Sequence, residues 1–214
     1  MPKETIEEIV RIPADSVELE GVLALPKGAR GIVAFAHGSG SSRFSPRNNF
    51  VASVLREQRM GTLLFDLLTK EEDAIYERRF DIGLLTERLM AATRWLWQQP
   101  QTKSLRIGYF GSSTGSAAAL RAAAEFGERI GAVVSRGGRP DLAGPSLVRV
   151  RSPTLLIVGG NDFGVIELNQ QAYAQMRCEK ELKIVPGATH LFEEPGALEE
   201  VARLAAEWFT RHLG

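Results

Sequence analysis

Ser104-Leu-Arg-Ile-Gly-Tyr-Phe-Gly-Ser-Ser-Thr-Gly-Ser-Ala-Ala-Ala-Leu120 is the stretch on which the fold turns. Ser104 to Phe110 reads as a strand, and the alanine-rich run Ser116 to Phe126 reads as a helix. Between them, Gly111-Ser-Ser-Thr-Gly115 leaves room only for a tight turn of small residues. A strand that passes directly into a helix is the unit from which helix-connected parallel sheets are built.

The same alternation extends in both directions. Upstream, Gly31 to His37 is a nearly continuous apolar run that suits a strand covered on both faces. It is followed by a helix over Asn49 to Gln58, a strand over Gly61 to Asp66, and a long amphipathic helix over Phe80 to Gln98. Downstream, strands are predicted at Ile130 to Ser135, Thr154 to Val158 and Leu182 to Val185, with helices at Val165 to Met176 and Pro195 to Leu213. Thr5 to Pro13 and Ser16 to Leu25 differ, because polar and apolar residues alternate across a turn at Pro13-Ala-Asp15; they predict an antiparallel hairpin at one edge. The fold class is therefore α/β: a mostly parallel sheet with an N-terminal antiparallel edge and helices on both faces. Leu67 to Arg79, with Lys70-Glu-Glu-Asp73, is the candidate for a mobile flap, set against the more ordinary reading of a solvated loop with no function, and no insertion is long enough for a cap.

The chain has 214 residues, 44% of them hydrophobic and 24% charged, within the range of one soluble domain. Lys plus Arg number 26 and so do Asp plus Glu, so no global field draws the chain to nucleic acid or to a membrane surface. No apolar stretch approaches the roughly 20 residues of a membrane span. The polar start lacks the layout of a secretory signal, and the single cysteine, Cys178, suits a reducing compartment and a structural role, so a cytoplasmic address is expected. A homodimer is left open.

The Gly111 to Gly115 turn also has the spacing of a nucleophile elbow, with Ser113 at its centre and small residues two positions away on either side. A serine hydroxyl is a weak nucleophile until a base takes its proton, so a histidine must reach it from another loop. There are three histidines. His212 falls in the last helical turn, with a solvent-facing reading, and His37 ends a strand ahead of a glycine-rich loop, where its ring would brace that loop. His190 follows the last strand and precedes the last helix. The acid expected between serine and histidine is Asp162, after Gly159-Gly-Asn161, with Asp141 and Glu167 as rivals; Asp162 could equally serve as a helix cap. The donors for a developing oxyanion are the backbone amides of Thr114 and of Ser39 in His37-Gly-Ser-Gly-Ser-Ser42.

These residues resemble the small, capless, dienelactone-hydrolase-like branch of the α/β-hydrolases. The resemblance covers nearly the whole chain and rests on His37-Gly-Ser-Gly, Gly111-Ser-Ser-Thr-Gly115, Gly159-Gly-Asn-Asp162 and Gly187-Ala-Thr-His190, in the family's order. It implies an eight-stranded sheet, no metal or organic cofactor, and hydrolysis of a small-molecule ester through an acyl-enzyme. The name-giving enzymes use cysteine where this chain has Ser113, so the dienelactone substrate is not carried over.

Arg43 and Arg47, after the oxyanion loop, and Arg136 and Arg139, after a strand, belong to segments that reach the same sheet end. Arg43 or Arg136 is a candidate for binding an anionic substrate group, set against surface pairing with nearby acids. Gly108, Gly111 and Gly115 mimic a dinucleotide fingerprint, but they fall mid-chain instead of in the first strand-to-helix unit. Trp95 and Trp97 point to different faces of one helix, so at most one is expected to be fully core.

Overall fold

The computed structural model describes residues 4–214. Eight strands form one sheet: β1 (Thr5–Ala14), β2 (Val17–Pro26), β3 (Gly31–Ala36), β4 (Met60–Phe65), β5 (Arg106–Ser112), β6 (Ile130–Arg136), β7 (Thr154–Gly159) and β8 (Lys180–Val185), in the spatial order β1-β2-β4-β3-β5-β6-β7-β8. β1 pairs antiparallel with β2 from Thr5↔Pro26 to Ala14↔Val17, and β2 pairs antiparallel with β4; every other pairing is parallel. The hairpin is an edge, as its alternation predicts. Glu7, Glu8 and Arg11 are exposed along β1 and guard it against further pairing.

The central strands are buried on both faces because helices cover both. Ile32, Ala34, Ile107, Tyr109 and Val133 pack on one side with α3 (Ile82–Gln98) and α4 (Thr114–Phe126). Val33, Phe35, Phe110, Ala132 and Val134 pack on the other with α1 (Pro46–Glu57) and α6 (Ala197–Leu213), and α5 (Phe163–Gln175) follows β7. Gly108 has a packing role here: a Cβ on it would lie 2.8 Å from the ring of Phe209, a fully buried α6 side chain worth about 2–3 kcal/mol of transfer free energy. Trp95 and Trp97 are both half-buried, Trp97 edge-on to Phe126 at 4.8 Å between centroids. Among the described residues no helix is long and apolar enough to cross a membrane.

Two expectations need correction, one for residues 67–79 and one for His212. The 67–79 segment is pinned instead of flapping. Leu67 and Leu68 are buried, Thr69 and Glu72 form a capping box on the short helix α2 (Lys70–Asp73), and buried Glu72 pairs with buried Arg88 at 2.7 Å. Arg88 also donates to the Ala14 carbonyl at 2.9 Å, so the segment is tied to α3 and to the end of β1. Between β6 and β7 a kinked 3₁₀ stretch occupies Pro140–Arg149, where Gly144 and Pro145 interrupt any helical period. His212, read as solvent-facing, does not face solvent. Its side chain is 12% exposed, its ring tilted against that of Trp208 at 4.5 Å between centroids and its Nε2 3.5 Å from Glu179.

Candidate active site

Ser113 sits between β5 and α4 with φ 49° and ψ −122°, a backbone region costly for any residue with a Cβ. Its neighbours hold it there. The Ser113 carbonyl accepts from the Arg139 and Ser116 amides, both at 3.1 Å, and its own amide lies 3.4 Å from the Arg136 carbonyl. The flanking glycines are required by close approach: a Cβ on Gly111 would fall 2.5 Å from the Ser116 Cα, and one on Gly115 would fall 2.1 Å from the Ala36 carbonyl oxygen. The elbow is thus wedged against the end of β3, and the Thr114 amide at the first position of α4 has no acceptor within the helix.

His190 and Asp162 come from the loops after β8 and β7, and those loops are zipped together. The Gly160 amide donates to the Val185 carbonyl at 2.8 Å, the Asn161 amide to the Ala188 carbonyl at 2.9 Å, and the Asn161 side chain to the Gly187 carbonyl at 3.1 Å. His190 Nδ1 and Asp162 Oδ2 are then 2.7 Å apart, the carboxylate accepting from the ring N–H. Asp162 makes no side-chain cap on α5. Its rival Asp141 is taken up by a two-point pair with Arg139, at 2.9 and 2.8 Å, while Glu167 lies within α5.

A cavity of about 260 Å³ opens over Ser113 and His190, with Ser39, Arg47, Asn48 and Arg136 among its walls. Arg43 is not among them, which corrects the expectation for that residue: it turns away to bond Asp66 and, at 2.6 Å, Glu20. The cation that reaches the cavity from this loop is Arg47, because Ser45 caps α1 through Asn48 and Pro46 sets its first turn, which directs Arg47 and Asn48 inward. Ser45-Pro46 was the legible signal for this start; Asn48 went unrecognised as a wall residue because nothing in its sequence context marks a partner. It accepts from the Ser112 hydroxyl at 3.1 Å and lies 3.5 Å from Arg136.

Arg136 is 6% exposed, with its Nε unpaired among the described residues. Burial, and then repulsion from Arg47, pushes its pKa down to about 10, which still leaves it charged at neutral pH. The Ser39 amide donates to the Thr114 hydroxyl at 3.1 Å, so this expected oxyanion donor already has an acceptor. His37 braces its loop: Nδ1–H donates to the Gly38 carbonyl at 2.9 Å, and Nε2 accepts from the Leu67 amide at 3.0 Å. Burial lowers its pKa against the pull of Asp66 and Asp73. Cys178 packs against the core and makes a weak 3.9 Å contact with Thr154, and burial raises its thiol pKa.

The model of the dienelactone hydrolase family matches residues 47–213. The chain belongs to the dienelactone hydrolase family. It is 56% identical to a dienelactone hydrolase from Anabaena variabilis of known crystal structure, covering 98% of this chain and 99% of that one at a TM-score of 0.95. A Pyrococcus furiosus esterase superposes at a TM-score of 0.80 with 22% identity, over 98% of this chain and 92% of that one, a likeness of fold alone. A Mycobacterium tuberculosis protein that carries the provisional name phosphoribosyl transferase is 58% identical over 207 residues, 97% of this chain and 47% of that protein. The chain thus spans about half the length of the curated relatives it matches. Membership of the dienelactone hydrolase family supports hydrolase activity.

Proposed function

We propose that this member of the family is a serine hydrolase cleaving small carboxylic esters, or the related lactones and thioesters, through Ser113, His190 and Asp162. The observation that carries the reading is the 2.7 Å His190–Asp162 hydrogen bond at the wall of the cavity that also holds Ser113. With Nδ1–H fixed on the carboxylate, the free His190 Nε2 is the basic nitrogen. It takes the Ser113 proton as Oγ attacks the carbonyl carbon, and the carbonyl π pair moves onto oxygen. The Thr114 amide, at the positive end of α4, stabilises that oxyanion, and the Ser39 amide joins it once the Thr114 hydroxyl turns aside. His190 then gives the proton to the departing alkoxide, leaving an acyl-Ser113. Water, deprotonated by His190, attacks the acyl carbon; as the resulting oxyanion collapses the C–Oγ bond breaks, His190 returns the proton to Ser113 Oγ, and the carboxylic acid leaves.

In this reading the chain works as one catalytic domain without a cap, drawing a small molecule from solution in the cytoplasm. Intact-mass spectrometry after incubation with a fluorophosphonate tests it. One adduct is expected on the wild-type protein and none on Ser113→Ala; a folded wild type that stays unmodified overturns the serine mechanism.

A further inference from the structure

The cavity over Ser113 is walled by hydrogen-bonding side chains. Ser39, Ser41, Ser45 and Asn48 line it from the loop after β3 and the start of α1, and among the described residues Leu191 is the one wall residue with a large aliphatic side chain. Small-molecule pockets are usually lined mainly by apolar and aromatic groups, with few polar ones. An alkyl chain finds little apolar surface here, whereas a group carrying oxygen finds donors.

Asn48 is the wall residue whose orientation is settled. It stands in the first turn of α1 and is 2% exposed, its backbone amide donating to the Ser45 hydroxyl at 3.3 Å. Its Oδ1 accepts from the Ser112 hydroxyl at 3.1 Å and lies 3.5 Å from Arg136 Nη2. A guanidinium has donors only, so the atom that faces it is the oxygen, and the amide cannot be turned over. Nδ2 then lies on the far side of the amide plane, with two N–H donors and no acceptor among the described residues. Unlike the buried Nε atoms of Arg47, Arg88 and Arg136, it is not sealed from solvent, and the opening beside Asn48 is the cavity. A donor pair so largely stripped of water carries a cost that a bound acceptor relieves.

Building on the hydrolase reading, we propose that Asn48 positions the substrate through Nδ2, so that the preferred esters are those of small oxygenated acids. These carry a neutral carbonyl, hydroxyl or ether oxygen a few bonds from the scissile carbonyl, and that oxygen accepts from Nδ2–H. Asn48 is held on Ser112, the residue before the nucleophile, which brings the donor close to the reacting centre. Among the described residues no hydrogen bond joins Asn48 to Ser113, His190 or Asp162, so its part is to place the substrate and the proton transfers are left to the triad. A hydrocarbon chain in the same position leaves the donors unpaired, which is the basis for discrimination against alkyl esters.

The test compares 4-nitrophenyl hexanoate with its 3-, 4- and 5-oxa analogues, in which an ether oxygen replaces one methylene, each kcat/KM being divided by the rate with hydroxide. Wild type should favour at least one oxa ester over hexanoate. In Asn48→Asp that preference should fall about 3- to 10-fold, the range for a neutral hydrogen bond. Aspartate keeps an oxygen for the Ser112 hydroxyl and Arg136 and removes only the donors, so a residue that merely tethers α1 to the elbow would leave the ratio unchanged. That result, or a wild-type ratio at or below one for all three analogues, overturns the proposal. If Asn48→Asp fails to fold, Asn48→Ala carries the comparison, since both esters are read in the same variant. Nuclear magnetic resonance reads the same contact without turnover. The side-chain amide signals of Asn48 in Ser113→Ala, assigned by their loss in Ser113→Ala/Asn48→Asp, should move saturably with 2-methoxyethyl acetate, and unmoved signals refute the contact. Failure of fluorophosphonate labelling alongside such a movement would instead sink the hydrolase reading alone.

Discussion

Gly159 lies directly against the backbone of Ala188: a Cβ on Gly159 would meet the Ala188 carbonyl oxygen at 2.3 Å and the Thr189 carbonyl at 2.8 Å. This contact joins the end of β7 to the loop that carries His190, two residues before His190 itself. The distance between Asp162 and His190 is therefore set by backbone packing as well as by the hydrogen bond between them.

Gly159→Ala should accordingly separate the two loops. The clash is with backbone, which cannot move aside as a side chain end can, so a stability loss of about 1–3 kcal/mol is expected from urea unfolding. Ester turnover should fall by roughly 100-fold if the His190 ring shifts by about 1 Å. An alanine variant with wild-type stability and turnover would show that the loops are not held in register here.

The fold was legible because the core strands are apolar on both faces and short turns separate them from helical periods; Gly31 to Ala36 and Thr154 to Gly159 leave little choice. The elbow was legible for a steric reason, since Gly111 and Gly115 are the residue types that the approach of β3 and α4 demands. What could not be read was direction and partnership. Lys70-Glu-Glu-Asp73 looked like a solvated stretch, but Glu72 faces inward because Arg88, far along the chain in α3, waits for it. Arg43 and Arg47 are equivalent in sequence terms; one turn of α1 sends Arg47 to the cavity, while Asp66 and Glu20 hold Arg43 away. The bond of the Ser39 amide to the Thr114 hydroxyl depends on side-chain rotation that no spacing encodes.

His37 should make stability depend on pH. Its Nε2 accepts the Leu67 amide, so protonation both loses that bond and charges a buried ring. Burial, the largest cause, lowers the folded-state pKa, while the unfolded chain titrates near the usual value of about 6.5. The unfolded state thus binds the proton more readily, so stability is retained above about pH 6.5. It falls as pH drops through that value, with a limiting slope of about 1.4 kcal/mol per pH unit. Urea unfolding of wild type and His37→Gln from pH 7.5 to 5.5 isolates the effect, because His190 and His212 are common to both. Equal slopes in the two proteins would assign the dependence to other groups.

The choice of acid can be decided by two substitutions at the same sheet end. Asp162 accepts from His190 Nδ1 at 2.7 Å, whereas both oxygens of Asp141 are engaged by Arg139. Asp162→Asn keeps the shape but offers an N–H where the ring needs an acceptor. The imidazole then favours the tautomer that carries its proton on Nε2, and the base facing Ser113 is lost. A fall in kcat of about 10³- to 10⁴-fold on a small ester is expected, with unfolding close to wild type because Asp162 and His190 are both partly solvated. Asp141→Asn removes one half of a partly exposed pair with Arg139 and should change kcat less than about threefold. The reverse pattern, with Asp141→Asn the inactive variant, would move the acid to the stretch that follows β6 and leave Asp162 as a residue that only orders its loop.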